Sequence, residues 1–82
     1  MGLPIERRTK MKVKEFLDKY SMGSNAVVTV CDARNEREWR MFYDQMRYNK
    51  YEKWDGDVKY DIGALKLNTF SVRDNALTIY AE

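Results

Sequence analysis

The chain contains no histidine, the side chain that most often serves as general base or metal ligand. A Ser–His or Cys–His nucleophile pair therefore cannot be assembled. The single cysteine, Cys31, ends the apolar run Ala26–Cys31. A small buried residue is expected there rather than a nucleophile. Gly56 and Gly63 lack the spacing of a phosphate-cradling loop. Asp55, Asp57 and Asp61 form one carboxylate cluster, D-G-D-x-x-x-D. Such oxygens can hold a hard cation, but the EF-hand spacing and its closing bidentate Glu are missing. A solvated turn is the expected reading. The sequence points to no catalytic residue, no metal and no cofactor.

The residues that suggest recognition chemistry lie between Arg34 and Asp55. This stretch holds six of the eleven aromatic residues and six of the fifteen Lys and Arg residues. A domain this short buries only about 60% of its unfolded surface, so not all of these large side chains can be inside. Tyr48, Tyr51 and Trp54 alternate with Arg47, Lys50 and Lys53. We expect these six to form a partner-binding surface. Tyr, Trp and Arg dominate binding hot spots because they bury a large area at little conformational cost. Two other readings compete. The aromatics are core residues, or they stack on bases while the cations neutralise phosphates. Glu52, Asp55 and Asp57 lie among them and oppose the last reading.

Charge distribution narrows the partners. The net charge of +2 comes wholly from residues 1–10, where Arg7, Arg8 and Lys10 face Glu6. From Met11 onward 12 basic residues balance 12 acidic ones. A neutral body argues against a general polyanion binder. No apolar run approaches the roughly 20 residues that span a bilayer, and MGLPIERRTK lacks the apolar region of a signal peptide. With one unpaired cysteine, the expected location is a reducing cytoplasm.

The elements that must position the aromatic stretch can be read in part. Residues 1–10 are expected to be a flexible extension and 11–82 a single domain. Val13, Phe16, Leu17 and Tyr20 recur at i, i+3, i+4, i+7 and predict a helix over 12–20. Ala26–Cys31 predicts a central strand, since both of its faces are largely apolar. Residues 35–46 fit two patterns. As a helix, they align Trp39, Phe42, Tyr43 and Met46 on one face. As a strand, they alternate Trp39, Met41 and Tyr43 with Arg40 and Phe42. Local propensity favours a second helix, within 35–48, and either reading puts Trp39, Phe42, Tyr43 and Met46 in the core. Residues 47–61 show no period and read as a long connection with a turn at Asp55-Gly56. Ala64–Val72 and Leu77–Ala81 predict a hairpin turning at Asp74-Asn75. Phe70 and Val72 would meet Leu77 and Ile79 on its buried face.

Val13, Glu15, Phe16 and Leu17, then Val28, Val30 and Asp32, then Phe70, Val72, Leu77, Ile79 and Tyr80 follow a common plan. It resembles that of a group of small phage and prophage proteins of Firmicutes-type bacteria. The plan is a K-V-x-E-F-L helix, a V-x-V-x-D strand, an aromatic second strand and a V-x-x-F-x-V, turn, L-x-I-Y ending. The resemblance covers about half the chain and implies a small α+β fold, with residues 39–44 as a strand. It supplies no catalytic residues to carry over.

The sequence thus predicts an α+β domain: an N-terminal helix on a small, mostly antiparallel sheet with a C-terminal β-hairpin. The expected function is that of a small, non-enzymatic, phage-type binding protein that inhibits a host defence protein in the manner of anti-CRISPR proteins. A nucleic-acid-binding accessory protein is the first alternative. A structural protein that buries its aromatic surface in a homodimer is the second.

Overall fold

A computed structural model describes residues 10–20, 22–23 and 25–82. The predicted extension lies outside the described residues except for Lys10. The Nζ of Lys10 reaches the Asn68 side chain and lies 3.3 Å from a Glu82 carboxylate oxygen.

Helix α1 spans Val13–Lys19. At seven residues it is too short to persist alone, so packing must hold it. Val13 and Leu17 are fully buried, and the Glu15 carboxylate accepts the exposed Lys12 N–H at 2.9 Å. The strands that follow are β1 (Val27–Asp32) and β2 (Arg37–Phe42), with a short helix α2 (Tyr43–Tyr48) directly after them. A two-stranded ribbon, β3 (Glu52–Asp55) and β4 (Val58–Asp61), precedes a single 3₁₀ turn at Ile62–Ala64. The chain closes with β5 (Leu67–Arg73) and β6 (Ala76–Ala81). The main sheet has the order β2-β1-β6-β5. Strand β1 is central, as its two apolar faces predict. It pairs antiparallel with β2 and parallel with β6, while β5 and β6 form the expected antiparallel hairpin. The fold is therefore α+β with a mostly antiparallel sheet.

Strand register puts one apolar layer under α1. Val28 and Val30 are flanked by Met41 and Trp39 of β2 and by Leu77 and Ile79 of β6. Val28, Val30, Leu77 and Ile79 are fully buried. The other face carries Val27, Thr29, Cys31, Glu38, Arg40, Phe42, Thr78 and Tyr80. Open faces of this kind are usual for antiparallel sheets.

The disputed segment is strand first and helix second. Val30 faces Trp39 and Val28 faces Met41, so pairing with β1 fixes Arg37–Phe42 as a strand. The gain from a full ladder outweighs helix propensities worth at most about 0.7 kcal/mol per residue. The helical pattern Trp39, Phe42, Tyr43, Met46 therefore straddles two elements. Three of these residues are buried, while Phe42 is 55% exposed, which corrects its placement in the core. Tyr43 explains why the chain turns here. Its hydroxyl donates to the carbonyl of Leu17 at 2.9 Å, satisfying one of the orphan acceptors at the end of α1.

Residues 47–61 are not a plain connection. After α2 the Tyr51 N–H reaches Met46 O at 2.9 Å and the Lys50 N–H reaches Arg47 O at 3.0 Å. This pairing is a Schellman motif, with Lys50 at the position usually held by glycine. Lys50 and Tyr51 both have positive φ, 56° and 63°. The ribbon β3–β4 follows and turns at Gly56-Asp57, where Gly56 takes φ 63°. Glycine at the first central position suits the tight hairpin turn. Tyr60 of this ribbon packs on Trp39 with ring centroids 5.6 Å apart, under the Arg37 guanidinium.

The turn between β1 and β2 is held by Asp32, which is buried. Its carboxylate accepts the Arg34 N–H at 3.0 Å, the Arg34 guanidinium at 3.3 Å and the Asn35 amide at 3.2 Å. Burial by itself would raise this carboxyl, but the Arg34 and Asn35 hydrogen bonds outweigh it and hold it below the usual carboxylate range. A depressed carboxyl stabilises the fold above its unfolded value near 3.9, and that stabilisation fades as pH falls toward the folded value. Asp32→Ala is expected to cost about 1–3 kcal/mol at pH 7. Urea melts at pH 7 and pH 3 should show the gap to wild type closing at the lower pH.

Candidate functional site: an aromatic surface on β2, α2 and β3

The six predicted contact residues do not form one cluster. Tyr48 is 83% exposed and Trp54 59% exposed. Lys53 is exposed beside Trp54 on β3. Tyr51, by contrast, is core. It is 9% exposed and donates its hydroxyl to the Asp18 carboxylate of α1. Burial, then this hydrogen bond, push its phenol up to about 12. Arg47 turns to the same side, its guanidinium 5.7 Å from the centre of the Tyr43 ring. Lys50 is exposed, but its backbone serves the helix terminus described above.

Tyr48, Lys53 and Trp54 instead join residues that sequence reasoning placed elsewhere. Phe42, Asp44, Gln45 and Tyr48 border a shallow groove with Asn25. Phe42 and Gln45 also border a second groove with Val27, Arg40, Met41, Asn49 and Lys53. Asn49 and Lys53 then meet Glu52 and Trp54. The result is a strip of three adjoining grooves running from Tyr48 past Phe42 and Gln45 to Lys53 and Trp54. Phe42 and Arg40 point out because they occupy alternate positions of β2. The signal that could have found them was strand alternation in Arg37–Phe42, which the helical pattern obscured.

The strip's electrostatics are mixed. Arg40 and Lys53 supply cations, and Asp44 and Glu52 lie beside them. Glu52 is further engaged by Lys59 at 3.5 Å. Arg40 is held against the sheet, its Nε 3.4 Å from Thr29 Oγ1. Such a surface offers aromatic area with a few charges to fix orientation, and no concentrated positive field.

The remaining candidate chemistry resolves as follows. Asp55 and Asp57 stand at the tip of the β3–β4 ribbon, and Asp61 lies at its base opposite Glu52. The three carboxylates do not converge, and among the described residues no group of three potential ligands gathers. Cys31 is half-buried on the open sheet face, not enclosed as expected. Its Sγ lies 3.6 Å from a Glu38 carboxylate oxygen. Burial first, and the Glu38 charge second, push the thiol up, which disfavours the reactive thiolate. Among the described residues no helix is long and apolar enough to cross a membrane.

Comparison with protein-family models, with curated proteins and with solved structures finds no match to this chain.

Proposed function

We propose that this protein is a non-enzymatic binding protein that docks on another protein through the strip formed by Phe42, Tyr48 and Trp54. One observation carries the reading: three large aromatic side chains, each more than half exposed, border a series of adjoining grooves. Singly exposed apolar residues are ordinary, but grouped ones mark contact sites. Tyr and Trp are the residues that anchor such contacts. In this reading Tyr48 and Trp54 seat in pockets of the partner, and Arg40 and Lys53 set the register. The phage-type sequence pattern gives the proposal its specific form, a small inhibitor that blocks a host defence protein sterically.

Affinity capture from bacterial host lysate tests this. The expected result is a protein retained at micromolar concentration that survives nuclease treatment. Oligonucleotide titrations at about 50 and 200 mM salt provide the counter-test. Binding that weakens by orders of magnitude between them would reassign the strip to nucleic acid.

A further inference from the structure

The two edges of the main sheet are built differently. Edge strand β2 carries Arg37, Glu38 and Arg40. Charges of this kind discourage another strand from adding. Edge strand β5 carries no charge and no proline from Leu67 to Val72. Part of its backbone also has no partner among the described residues. Glu82 exchanges both backbone hydrogen bonds with Lys66, at 2.8 and 3.0 Å, while the Ala81 carbonyl points the other way, to the Ala33 N–H at 2.9 Å. Alternation along β6 then turns Tyr80, Thr78 and Ala76 toward β5, opposite Thr69, Ser71 and Arg73. Phe70 and Val72 are left with their N–H and C=O groups aimed outward. On the outer side, Met11 O accepts the Leu67 N–H at 2.8 Å, and the Lys10 side chain reaches Asn68. Beyond that, among the described residues, no backbone hydrogen bond is made on the outer side of Phe70–Arg73.

The side chains on this edge are apolar as well. Phe70 is 45% and Val72 44% exposed. Phe70 packs against Phe16 with tilted rings, centroids 4.7 Å apart, and lies 6.2 Å from Tyr20, forming an open aromatic ridge with Met11.

We infer that β5 pairs antiparallel with β5 of a second copy of this chain, about a twofold axis at Ser71. The strand is self-complementary in that register. Phe70 lies opposite Val72 of the other copy, and each such pair exchanges two backbone hydrogen bonds, four in all. Aromatic and β-branched residues make favourable cross-strand pairs. Ser71 meets Ser71 and Thr69 meets Arg73, so no like charges stand opposed. The ridges of Phe16, Tyr20 and Phe70 extend the contact on one face of the joined sheet. A short strand plus this ridge is a small contact, of the kind that dissociates on dilution. Because β5 is the edge opposite β2, pairing leaves the strip containing Phe42 free on both copies.

Sedimentation velocity of the full chain over a wide concentration series tests the inference. The expected result is a monomer–dimer equilibrium. Phe70→Lys puts a charge on the edge. Val72→Pro removes an outward N–H, at a position where an edge strand tolerates proline. Each should weaken the dimer at least tenfold, with an unchanged circular dichroism spectrum. A wild-type chain that stays monomeric to millimolar concentration would overturn the inference. So would a dimer that neither change weakens.

Discussion

Gly63→Ala is expected to lower stability by about 1–3 kcal/mol, the range for forcing an extra group into a packed interior. Gly63 lies in the 3₁₀ turn where α1, Tyr51 and the end of β4 converge. A Cβ built there would stand 2.8 Å from Tyr51 Cβ and 2.9 Å from Lys14 Cβ. Real Cβ atoms do not approach so closely. Neither neighbour is the movable tip of a side chain, so relief requires backbone displacement. The turn cannot swing away easily, because the Gly63 N–H donates to Tyr51 O at 3.0 Å and the Val13 N–H donates to Leu65 O at 2.9 Å. The glycine is needed here for close approach and not for an unusual φ. A small domain has only a few kcal/mol in reserve. Thermal melts should therefore show a drop of several degrees for alanine and loss of the cooperative transition for valine.

Tyr51→Ala is expected to cost about 3–5 kcal/mol, as for other large buried aromatics. Two features add up at this residue: its ring is in the core, and its hydroxyl ties the turn after α2 to Asp18 of α1. It also holds φ 63° at a helix terminus, a strain that alanine would share. A non-glycine residue adopts that conformation only where its surroundings enforce it. The hydroxyl also sets a pH dependence. The folded phenol is raised to about 12, against about 10 when unfolded. Its stabilising contribution is thus complete below pH 10 and disappears as pH rises toward 12. Chemical melts between pH 9 and pH 12 should show this loss in wild type and a smaller one in Tyr51→Phe.

The contrast between Tyr51 and its neighbours shows where sequence reasoning stops. Tyr48, Tyr51 and Trp54 look equivalent in a stretch without period. Their fates are set by the helix terminus at Asn49–Tyr51, which reverses the chain through two left-handed residues. Glycine would have announced that turn, but the chain uses lysine and tyrosine. The ribbon β3–β4 was equally hidden. Its strands have four residues each, are mostly exposed, and so show no alternation of polar and apolar positions. What could be read was what a buried face imposes. Val13 and Leu17 marked α1, the doubly apolar Ala26–Cys31 marked the central strand, and Asp74-Asn75 marked the last turn, where Asp74 has φ 53°. The hairpin partners Phe70–Ile79 and Val72–Leu77 were also legible. Their exposure was not, because α1 is too short to cover the outer strand.

Tyr48 and Trp54 are the proposed contact residues, and one comparison decides whether they are. Wild type and a Tyr48→Ala, Trp54→Ala double variant are used side by side for quantitative capture from host lysate, with thermal melts run on both. Two hot-spot truncations at about 2 kcal/mol each should weaken retention of the partner by roughly a hundredfold or more, at an unchanged melting temperature. Equal retention by the two proteins, or no protein retained by either at micromolar concentration, would contradict the claim.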